Sequence, residues 1–257
     1  MAKPKVISLF SGAGGLDYGL EAAGFETAVA LEFDHDCCET LRHNRRWPVI
    51  ERDVFDVPTA ELLETAVLKP GEADLLVGGP PCQPFSKSGY WSRGDALRLD
   101  DPRSNTLGAY LRILREALPR AFLLENVEGL AYSGKDEGLR LLLETVKIIN
   151  RETSSNYRPQ LAVLNAAEYG VPQLRERVIL IASREGTSFH FPKATHGDVD
   201  AGGVRDLFAS APVSSGKSGR IHSGNSGRSG RVAPSASKTG APSARQRSRR
   251  GKGGCST

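Results

Sequence analysis

Cysteine is scarce in this 257-residue chain, which contains Cys37, Cys38, Cys82 and Cys255. Their spacing fits neither a metal-binding pattern nor the disulfide framework of a small secreted protein. The adjacent Cys37 and Cys38 are also poorly placed to bridge each other. We therefore expect no bound metal and a reducing, cytoplasmic environment.

Long apolar runs are absent as well. No stretch approaches the roughly 18 apolar residues that a membrane-spanning helix needs, and the N-terminus shows no secretory signal pattern. The apolar fraction of 39% and the charged fraction of 25% are ordinary for a globular domain. We expect neither a membrane partner nor export.

The last part of the chain lacks the residues that build a core. From about residue 209 it consists mainly of Ser, Gly, Ala, Pro and Arg, with isolated large apolar residues. Residues 198–257 carry 11 Lys and Arg against 3 Asp and Glu, whereas residues 1–197 carry 23 against 27. We predict that residues 193–208 are a linker and that residues 209–257 are a disordered basic tail able to bind nucleic acid non-specifically.

Residues 1–192 alternate between apolar runs typical of buried strands and runs with helical periodicity. This alternation predicts one α/β domain, doubly wound around a mostly parallel sheet. The predicted strands are Lys5–Phe10, Thr27–Leu31, Val49–Glu51, Asp74–Val77, Arg120–Val127, Gln160–Asn165 and Val178–Ala182, and the predicted helices are Leu16–Ala23, Asp34–His43, Asn105–Leu118 and Asp136–Asn150.

The first strand runs into a glycine turn, Ser11-Gly-Ala-Gly-Gly15. A turn of this kind exposes N–H groups at the start of a helix and lets a ligand come close, although a plain tight turn has the same composition. The dinucleotide-binding fingerprint would need a third glycine at the position of Asp17. A pyrophosphate ligand is therefore not indicated.

Acidic residues follow the next two strands. Glu32 lies about 20 residues after the glycine turn, where an acid can accept hydrogen bonds from both ribose hydroxyls of a nucleoside. Asp53 follows the third strand and could accept from an adenine amino group. Simpler interpretations exist for the acids in these loops. Asp34, close to Glu32, could be the N-cap of a helix, and Asp53 could be a solvated loop acid. Together, the turn and the two acids predict an adenosine pocket.

The fourth strand leads to a thiol. Gly78 and Gly79 permit close approach of the backbone, and Pro80 and Pro81 stiffen the segment that ends at Cys82. Open α/β sheets bind ligands at the carboxyl ends of their strands, which makes Cys82 a candidate nucleophile. A buried structural cysteine is the alternative.

Two further strands carry polar residues at their ends. Glu125 and Asn126 close one of them, and Glu125 is a candidate general acid or, alternatively, a helix cap. Arg175 and Arg177 alternate beside the last strand, so their guanidinium groups could bind a carbonyl or phosphate oxygen. A surface ion pair with Glu176 is the other interpretation.

In their order and spacing these segments closely resemble the successive motifs of the cytosine-5 DNA methyltransferases. The resemblance covers about residues 5–192, including Asp101-Pro-Arg103. It implies a Rossmann-like methyltransferase fold, S-adenosylmethionine as cofactor and, as substrate, a cytosine flipped out of duplex DNA, in an enzyme typical of restriction–modification systems. The motifs that carry it are Phe10-Ser-Gly-Ala-Gly-Gly15, Glu32, Asp53, Gly79-Pro-Pro-Cys-Gln83, Glu125-Asn-Val127 and Gln173-Leu-Arg-Glu-Arg177.

Carried over position by position, the resemblance assigns two groups of site residues. The catalytic group is Cys82, Glu125, Arg175 and Arg177, and the cofactor-binding group is Phe10, Ser11, Gly12, Gly14, Gly15, Glu32, Phe33, Asp53, Val54, Pro80 and Leu107. The implied reaction begins with addition of the Cys82 thiolate to carbon 6 of cytosine. Glu125 would act at ring nitrogen 3 and Arg177 at the carbonyl oxygen on carbon 2.

The resemblance stops where the family continues with a target-recognition region and a closing C-terminal segment. Phe191–Gly197 and Val204–Asp206 still resemble the lead-in to that region, but residues 209–257 do not resemble the region itself. The chain could be truncated, frame-shifted, or one half of a split enzyme whose recognition region is a second chain. A cofactor- or nucleic-acid-binding remnant without activity is a second hypothesis. A tRNA cytosine-5 methyltransferase is a third, although the Cys-Phe-Thr signature of that branch is absent.

Overall fold

The computed structural model of the protein describes residues 2–81, 106–127, 130, 137–197 and 205–206. Cys82, Asp101–Arg103 and the predicted tail lie outside the described residues. The strands are β1 (Lys5–Leu9), β2 (Glu26–Glu32), β3 (Val49–Glu51), β4 (Leu75–Gly78), β5 (Ala121–Val127), β6 (Gln160–Asn165), β7 (Glu176–Ser183) and β8 (Arg205–Asp206). The helices are α1 (Gly15–Ala22), α2 (His35–Asn44), α3 (Thr59–Thr65), α4 (Thr106–Ala117) and α5 (Glu137–Thr153), with a short 3-10 helix at Ala166–Tyr169.

All eight strands form one sheet in the order β3-β2-β1-β4-β5-β7-β6-β8. Neighbours from β3 to β5 pair in parallel, whereas β7 runs antiparallel to both β5 and β6, and β8 is antiparallel to β6. The strand order reverses between β1 and β4, which makes a crevice at their carboxyl ends. The predicted α/β fold with a mostly parallel sheet is confirmed.

Helices cover both faces of the sheet. On one face Ile7 and Leu9 pack in the same cluster as Tyr110 and Ile113 of α4. On the other face Val6 and Val77 form a cluster with Leu75, against which Leu20 and Phe25 pack. Alternate side chains of a strand point to opposite faces, so both faces of β1 and β4 must be largely apolar, with Ser8 of β1 as a buried polar exception.

Helix α4 owes its place to a buried stripe. Its residues Leu107, Tyr110, Leu111, Ile113 and Leu114 are buried, and the Tyr110 hydroxyl lies 3.2 Å from the Leu76 carbonyl oxygen and 3.1 Å from that of Leu123. The hydroxyl thus has acceptors in β4 and β5, which keeps a buried polar group satisfied. This contact anchors α4 against β4 and β5.

Helix α3 and the direction of β7 were not predicted from the sequence. Helix α3 has seven residues behind Pro58, too few for a periodic pattern to stand out, and its burial of Leu62 and Leu63 becomes evident only in the fold. The reversed direction of β7 was also not predicted, because an apolar run carries no sign of its direction. Among the described residues no helix is long and apolar enough to cross a membrane.

A valine occupies a position that favours glycine at the end of α3. Val67 has φ 55° and is 87% exposed. Its N–H donates to the Glu64 carbonyl at 3.0 Å, and the Leu68 N–H donates to that of Leu63 at 2.9 Å. This pair of hydrogen bonds is the Schellman motif, which requires a left-handed residue.

We expect Val67→Gly to raise the free energy of unfolding by about 1 kcal/mol, because a left-handed backbone costs an L-residue about 1–2 kcal/mol. Gly24, with φ 93°, closes α1 through the same motif, and a Cβ there would meet nothing within 4 Å. Gly24→Val should therefore destabilise the protein by a similar amount. Chemical denaturation of both variants checks the pair, and two shifts in the same direction would contradict it.

Candidate active site

The glycine turn after β1 adopts a strained backbone. Phe10 has φ 54°, which is uncommon for a bulky residue, and Gly12 and Gly14 have φ 54° and 88°. A Cβ on Gly14 would lie 2.8 Å from the side chain of Leu41, which is fully buried. Gly14 is therefore required both for its conformation and for its close contact with α2.

Glu32, at the end of β2, organises the neighbouring backbone. One carboxylate oxygen accepts the Gly12 N–H at 2.7 Å, and the other accepts the N–H groups of Phe33 at 2.8 Å and Asp34 at 2.9 Å. A carboxylate has about four acceptor positions, so one remains for a ligand donor. The same acid that could bind a ribose thus holds the glycine turn and the chain entering α2.

The N-cap interpretation of Asp34 is confirmed, because its side chain accepts the Cys37 N–H at 2.9 Å. Just after this cap, His35 Nδ1 lies 2.7 Å from Glu51 at the end of β3. The hydrogen bond to Glu51 raises the pKa of His35, and His35 in turn lowers the pKa of Glu51. This exposed pair joins the loops that follow β2 and β3.

The loop after β3 is held from the opposite side by Arg112 of α4. Its guanidinium donates to the carbonyl oxygens of Val54 and Val57, both at 3.1 Å, and to the Thr59 hydroxyl at 3.0 Å. Asp53 accepts the Phe55 N–H at 3.1 Å, so its carboxylate also shapes the loop. No sequence signal marks Arg112 as a loop contact, since an arginine on an amphipathic helix usually faces solvent.

These loops enclose a pocket of about 430 Å³, a size suited to a small organic ligand. Five of the predicted cofactor-binding residues line the pocket, namely Phe10, Glu32, Phe33, Asp53 and Val54. The glycine turn residues Ser11, Gly12, Gly14 and Gly15 follow Phe10 in the chain but are not among the lining residues. Pro81 and Thr106 take the places expected for Pro80 and Leu107, which are buried. The lining consists of Phe10, Leu31, Glu32, Phe33, Arg52, Asp53, Val54, Phe55, Gly79, Pro81 and Thr106.

A second cluster joins Glu125 and Arg177. The antiparallel register of β5 and β7 places Val127 opposite Arg177, so Glu125 and Arg177 are diagonal neighbours on one face. Arg177 Nε lies 2.9 Å from Glu125 Oε1, and both side chains are about three-quarters buried, with 26% and 22% of their surfaces exposed. The ion pair gives the Glu125 carboxylate a fixed orientation.

Gly79 connects the pocket to this cluster. It lines the pocket, and a Cβ on it would lie 2.9 Å from Glu125 Oε2. Any side chain at this position would displace the carboxylate or itself enter the pocket. The close approach predicted for the glycine pair is thus made, at Gly79, by the catalytic candidate Glu125.

Asn126 holds the segment that leads to Cys82. Its side-chain amide donates to the Pro80 carbonyl at 3.2 Å, and its amide oxygen accepts the Val127 N–H at 2.8 Å. Prolines have no N–H to donate, so carbonyl oxygens are the hydrogen-bonding groups by which Pro80 and Pro81 can be held. The sequence pattern placed Asn126 at a strand end and carried no signal for its contact with Pro80.

Arg175 does not join the Glu125 cluster among the described residues. It is exposed, and its backbone N–H donates to Asn165 Oδ1 at 3.2 Å. Of the two arginines, Arg177 is the one whose contact with Glu125 is described, and Arg175 immediately precedes β7, which begins at Glu176. The Arg177 guanidinium also bonds the Glu176 carbonyl oxygen, at 2.7 Å, instead of the Glu176 carboxylate.

The two cysteines within the described residues are unsuited to nucleophilic chemistry. Burial raises the pKa of both Cys37 and Cys38 to about 11, so almost no thiolate forms near neutral pH. Cys82 lies outside the described residues, and its role stays a prediction. Within residues 2–81, 106–127 and 137–197, no group of three or more His, Cys, Asp and Glu side chains could hold a metal ion.

Comparisons with known proteins show the family of the chain. The family model of the C-5 cytosine-specific DNA methylases matches residues 4–227. Type II methyltransferase M.AquIA of Picosynechococcus sp. is 46% identical over 209 residues, which cover 79% of this chain and 82% of that protein. M.SacI of Streptomyces achromogenes is 43% identical over 204 residues, covering 74% of this chain and 50% of that protein.

A solved structure shares the fold. Spodoptera frugiperda DNMT2, determined as a mutant, superposes with a TM-score of 0.55 at 24% identity, covering 74% of this chain and 52% of that one. This chain thus spans about half the length of M.SacI and of DNMT2. With a family model matched over most of its length and a relative 46% identical, the chain belongs to the C-5 cytosine-specific DNA methylase family.

Proposed function

We propose that the chain carries the cofactor-binding and catalytic half of a DNA cytosine-5 methyltransferase of a bacterial restriction–modification system. The observation that carries the proposal is the pocket, which is lined by Phe10, Glu32, Phe33, Asp53 and Val54 and shares Gly79 with the Glu125–Arg177 pair. Methyl transfer needs a cofactor and a base in adjoining sites, and this arrangement supplies both.

The residues present fit S-adenosylmethionine. Glu32 retains one acceptor position for a ribose hydroxyl, and Asp53, which also lines the pocket, can accept from the adenine amino group. Phe10 and Phe33 supply apolar surface to the adenine ring, and Phe33 is 72% exposed at the rim. When bound, the cofactor supplies an activated methyl group.

In the proposed reaction the Cys82 thiolate adds to carbon 6 of a flipped cytosine, which makes carbon 5 nucleophilic. Glu125 hydrogen-bonds ring nitrogen 3, and Arg177 both orients Glu125 and compensates negative charge on the ring. After methylation, loss of the carbon 5 proton and elimination of Cys82 release the product. Asn126 contributes by holding the Pro80 carbonyl two residues ahead of the thiol.

The matched share differs between relatives. It is 82% of M.AquIA and 50% of M.SacI, so half of M.SacI has no counterpart among the matched residues. We infer that target recognition is supplied by a separate chain. A chain of this kind would work on DNA in the bacterial cytoplasm.

Replacing Glu32 should weaken cofactor binding. Glu32→Ala removes a charged acceptor, so we expect the affinity for S-adenosylmethionine to fall by at least about 1.5 kcal/mol. Asp34→Ala is the matched control, since it removes the cap of α2 from the adjacent loop and should cost about 1 kcal/mol of stability with little change in affinity. Calorimetric titration measures both, and wild-type affinity in Glu32→Ala would show that Glu32 binds no ribose.

The isolated chain should bind DNA without transferring methyl groups efficiently. Base flipping costs a few kcal/mol, which an enzyme recovers from contacts on both sides of the duplex, and the 11 Lys and Arg of residues 198–257 offer only sequence-independent phosphate contacts. We expect salt-sensitive, sequence-indifferent binding, and transfer only when a chain carrying a recognition region is added.

Cys82→Ser should abolish the restored transfer, because a hydroxyl is a far weaker nucleophile than a thiolate near neutral pH. Cys37→Ser is the control and should retain transfer. Incorporation of a radioactive methyl group into duplex DNA provides the readout. Robust site-specific methylation by the isolated chain would contradict the need for a second polypeptide.

A further inference from the structure

The loop after β3 forms one side of the pocket. Asp53, Val54 and Phe55 of this loop are lining residues, and Phe55 is 45% exposed. The Asp56 N–H donates to the Asp53 carbonyl oxygen at 3.0 Å, which closes a β-turn around Val54 and Phe55. Val54 and Val57 are buried, so their carbonyl oxygens need hydrogen-bond partners from within the protein.

Arg112 of α4 supplies those partners. Its Nη2 lies 3.1 Å from the Val54 carbonyl oxygen and 3.1 Å from that of Val57, and its Nη1 lies 3.0 Å from the Thr59 hydroxyl. A guanidinium group is planar and carries five N–H donors in fixed directions, so it can bind several acceptors at once. A lysine ammonium is a single point of charge and does not reproduce this fork. Arg112 thus holds the loop on both sides of Phe55.

One peptide group connects Arg112 to the Asp53 carboxylate. The Val54 carbonyl and the Phe55 N–H belong to the same planar peptide unit. Arg112 binds the carbonyl oxygen of this unit at 3.1 Å, and the N–H of the unit donates to Asp53 Oδ1 at 3.1 Å. The orientation of the carboxylate therefore follows that of the peptide. Since a carboxylate has about four acceptor positions, Asp53 can also accept from a ligand in the pocket that it lines.

We propose that Arg112 is a positioning residue that holds the Asp53 carboxylate as an acceptor and thereby makes the pocket selective for a 6-aminopurine over a 6-oxopurine. This inference rests on the proposed function, in which the ligand is an adenosine derivative. An amino group donates to a carboxylate, whereas an oxo group at the same position presents only lone pairs and is repelled. A carboxylate that is held through a peptide group is restrained from turning aside to relieve that repulsion.

Two ligands that differ at this position test the proposal. S-adenosylhomocysteine carries the amino group, whereas its deaminated analogue S-inosylhomocysteine carries an oxo group there, and the two share the ribose and the amino-acid part. We expect the wild-type chain to bind S-adenosylhomocysteine at least about tenfold more tightly, the scale of one hydrogen bond to a charged group. Isothermal titration calorimetry of the full chain measures both affinities.

Arg112→Lys should reduce this preference by at least roughly threefold, because the lysine keeps the positive charge but loses the fork. Weaker binding of S-adenosylhomocysteine should account for the change. The affinity for S-inosylhomocysteine should stay within about 1.5-fold of wild type, since the oxo group gains no hydrogen bond from a carboxylate. Arg115→Lys is the matched control on the same helix, where the guanidinium pairs with Glu152 at 2.7 Å, and it should keep the wild-type preference.

Asp53→Asn tests the other end of this path. An asparagine amide both donates and accepts, so it can bind either an amino or an oxo group. We expect this variant to lose most of the preference. Adding Arg112→Lys to it should cause no further loss of preference, since Arg112 acts through Asp53. Thermal unfolding without ligand shows whether each variant is folded.

Equal weakening of both ligands in Arg112→Lys would overturn the proposal, because a residue that only stabilises the fold does not distinguish the two purines. An unchanged preference in that variant, a further loss in the double variant, or no preference in the wild-type chain would overturn it as well. If Arg112→Lys does not fold, Arg112→Gln takes its place, and if neither folds, Arg112 is a folding residue and the proposal falls. Failure of the wild-type chain to bind either ligand would instead refute the proposed cofactor.

Discussion

The hydrogen bond from the Gly12 N–H to Glu32, at 2.7 Å, is the contact on which the site depends. It joins the ends of β1 and β2, neighbours in the sheet, and it fixes the left-handed turn that begins at Phe10. Because Glu32 also accepts the Phe33 and Asp34 N–H groups, one carboxylate sets both the wall of the pocket and the entrance to α2. The pocket is therefore shaped before a ligand arrives, which reduces the entropy cost of binding.

The second half of the site is built from close contacts around the Glu125 carboxylate. Glu125 lies against Gly79 on one side and is paired with Arg177 on the other, while Asn126 holds Pro80. The ends of β4, β5 and β7 thus position each other. Gly79 lines the pocket and also lies against the Glu125 carboxylate, so it connects the cofactor and base sites of the proposed enzyme.

Much of this could be predicted from the sequence, because its signals are local. Apolar runs predicted the strands between Lys5 and Ser183. The positions of Glu32, Asp53 and Glu125 at or just after strand ends marked them as candidate site residues. Contacts between residues far apart in the chain leave no local pattern in the sequence, so they could not be predicted. Arg112, Pro81 and Thr106 became site residues only when α4 packed over the strand ends, and the pairing of Arg177 rather than Arg175 depended on the antiparallel register of β7.

A crystal structure of the chain with S-adenosylmethionine would test the central claim most directly. We predict a ribose hydroxyl within hydrogen-bonding distance of Glu32, the adenine between Phe10 and Phe33 with its amino group at Asp53, and the methyl group directed past Gly79 towards Glu125. Density for the cofactor elsewhere on the sheet edge, or a bound pose in which Glu32 contacts only Gly12, Phe33 and Asp34, would contradict it.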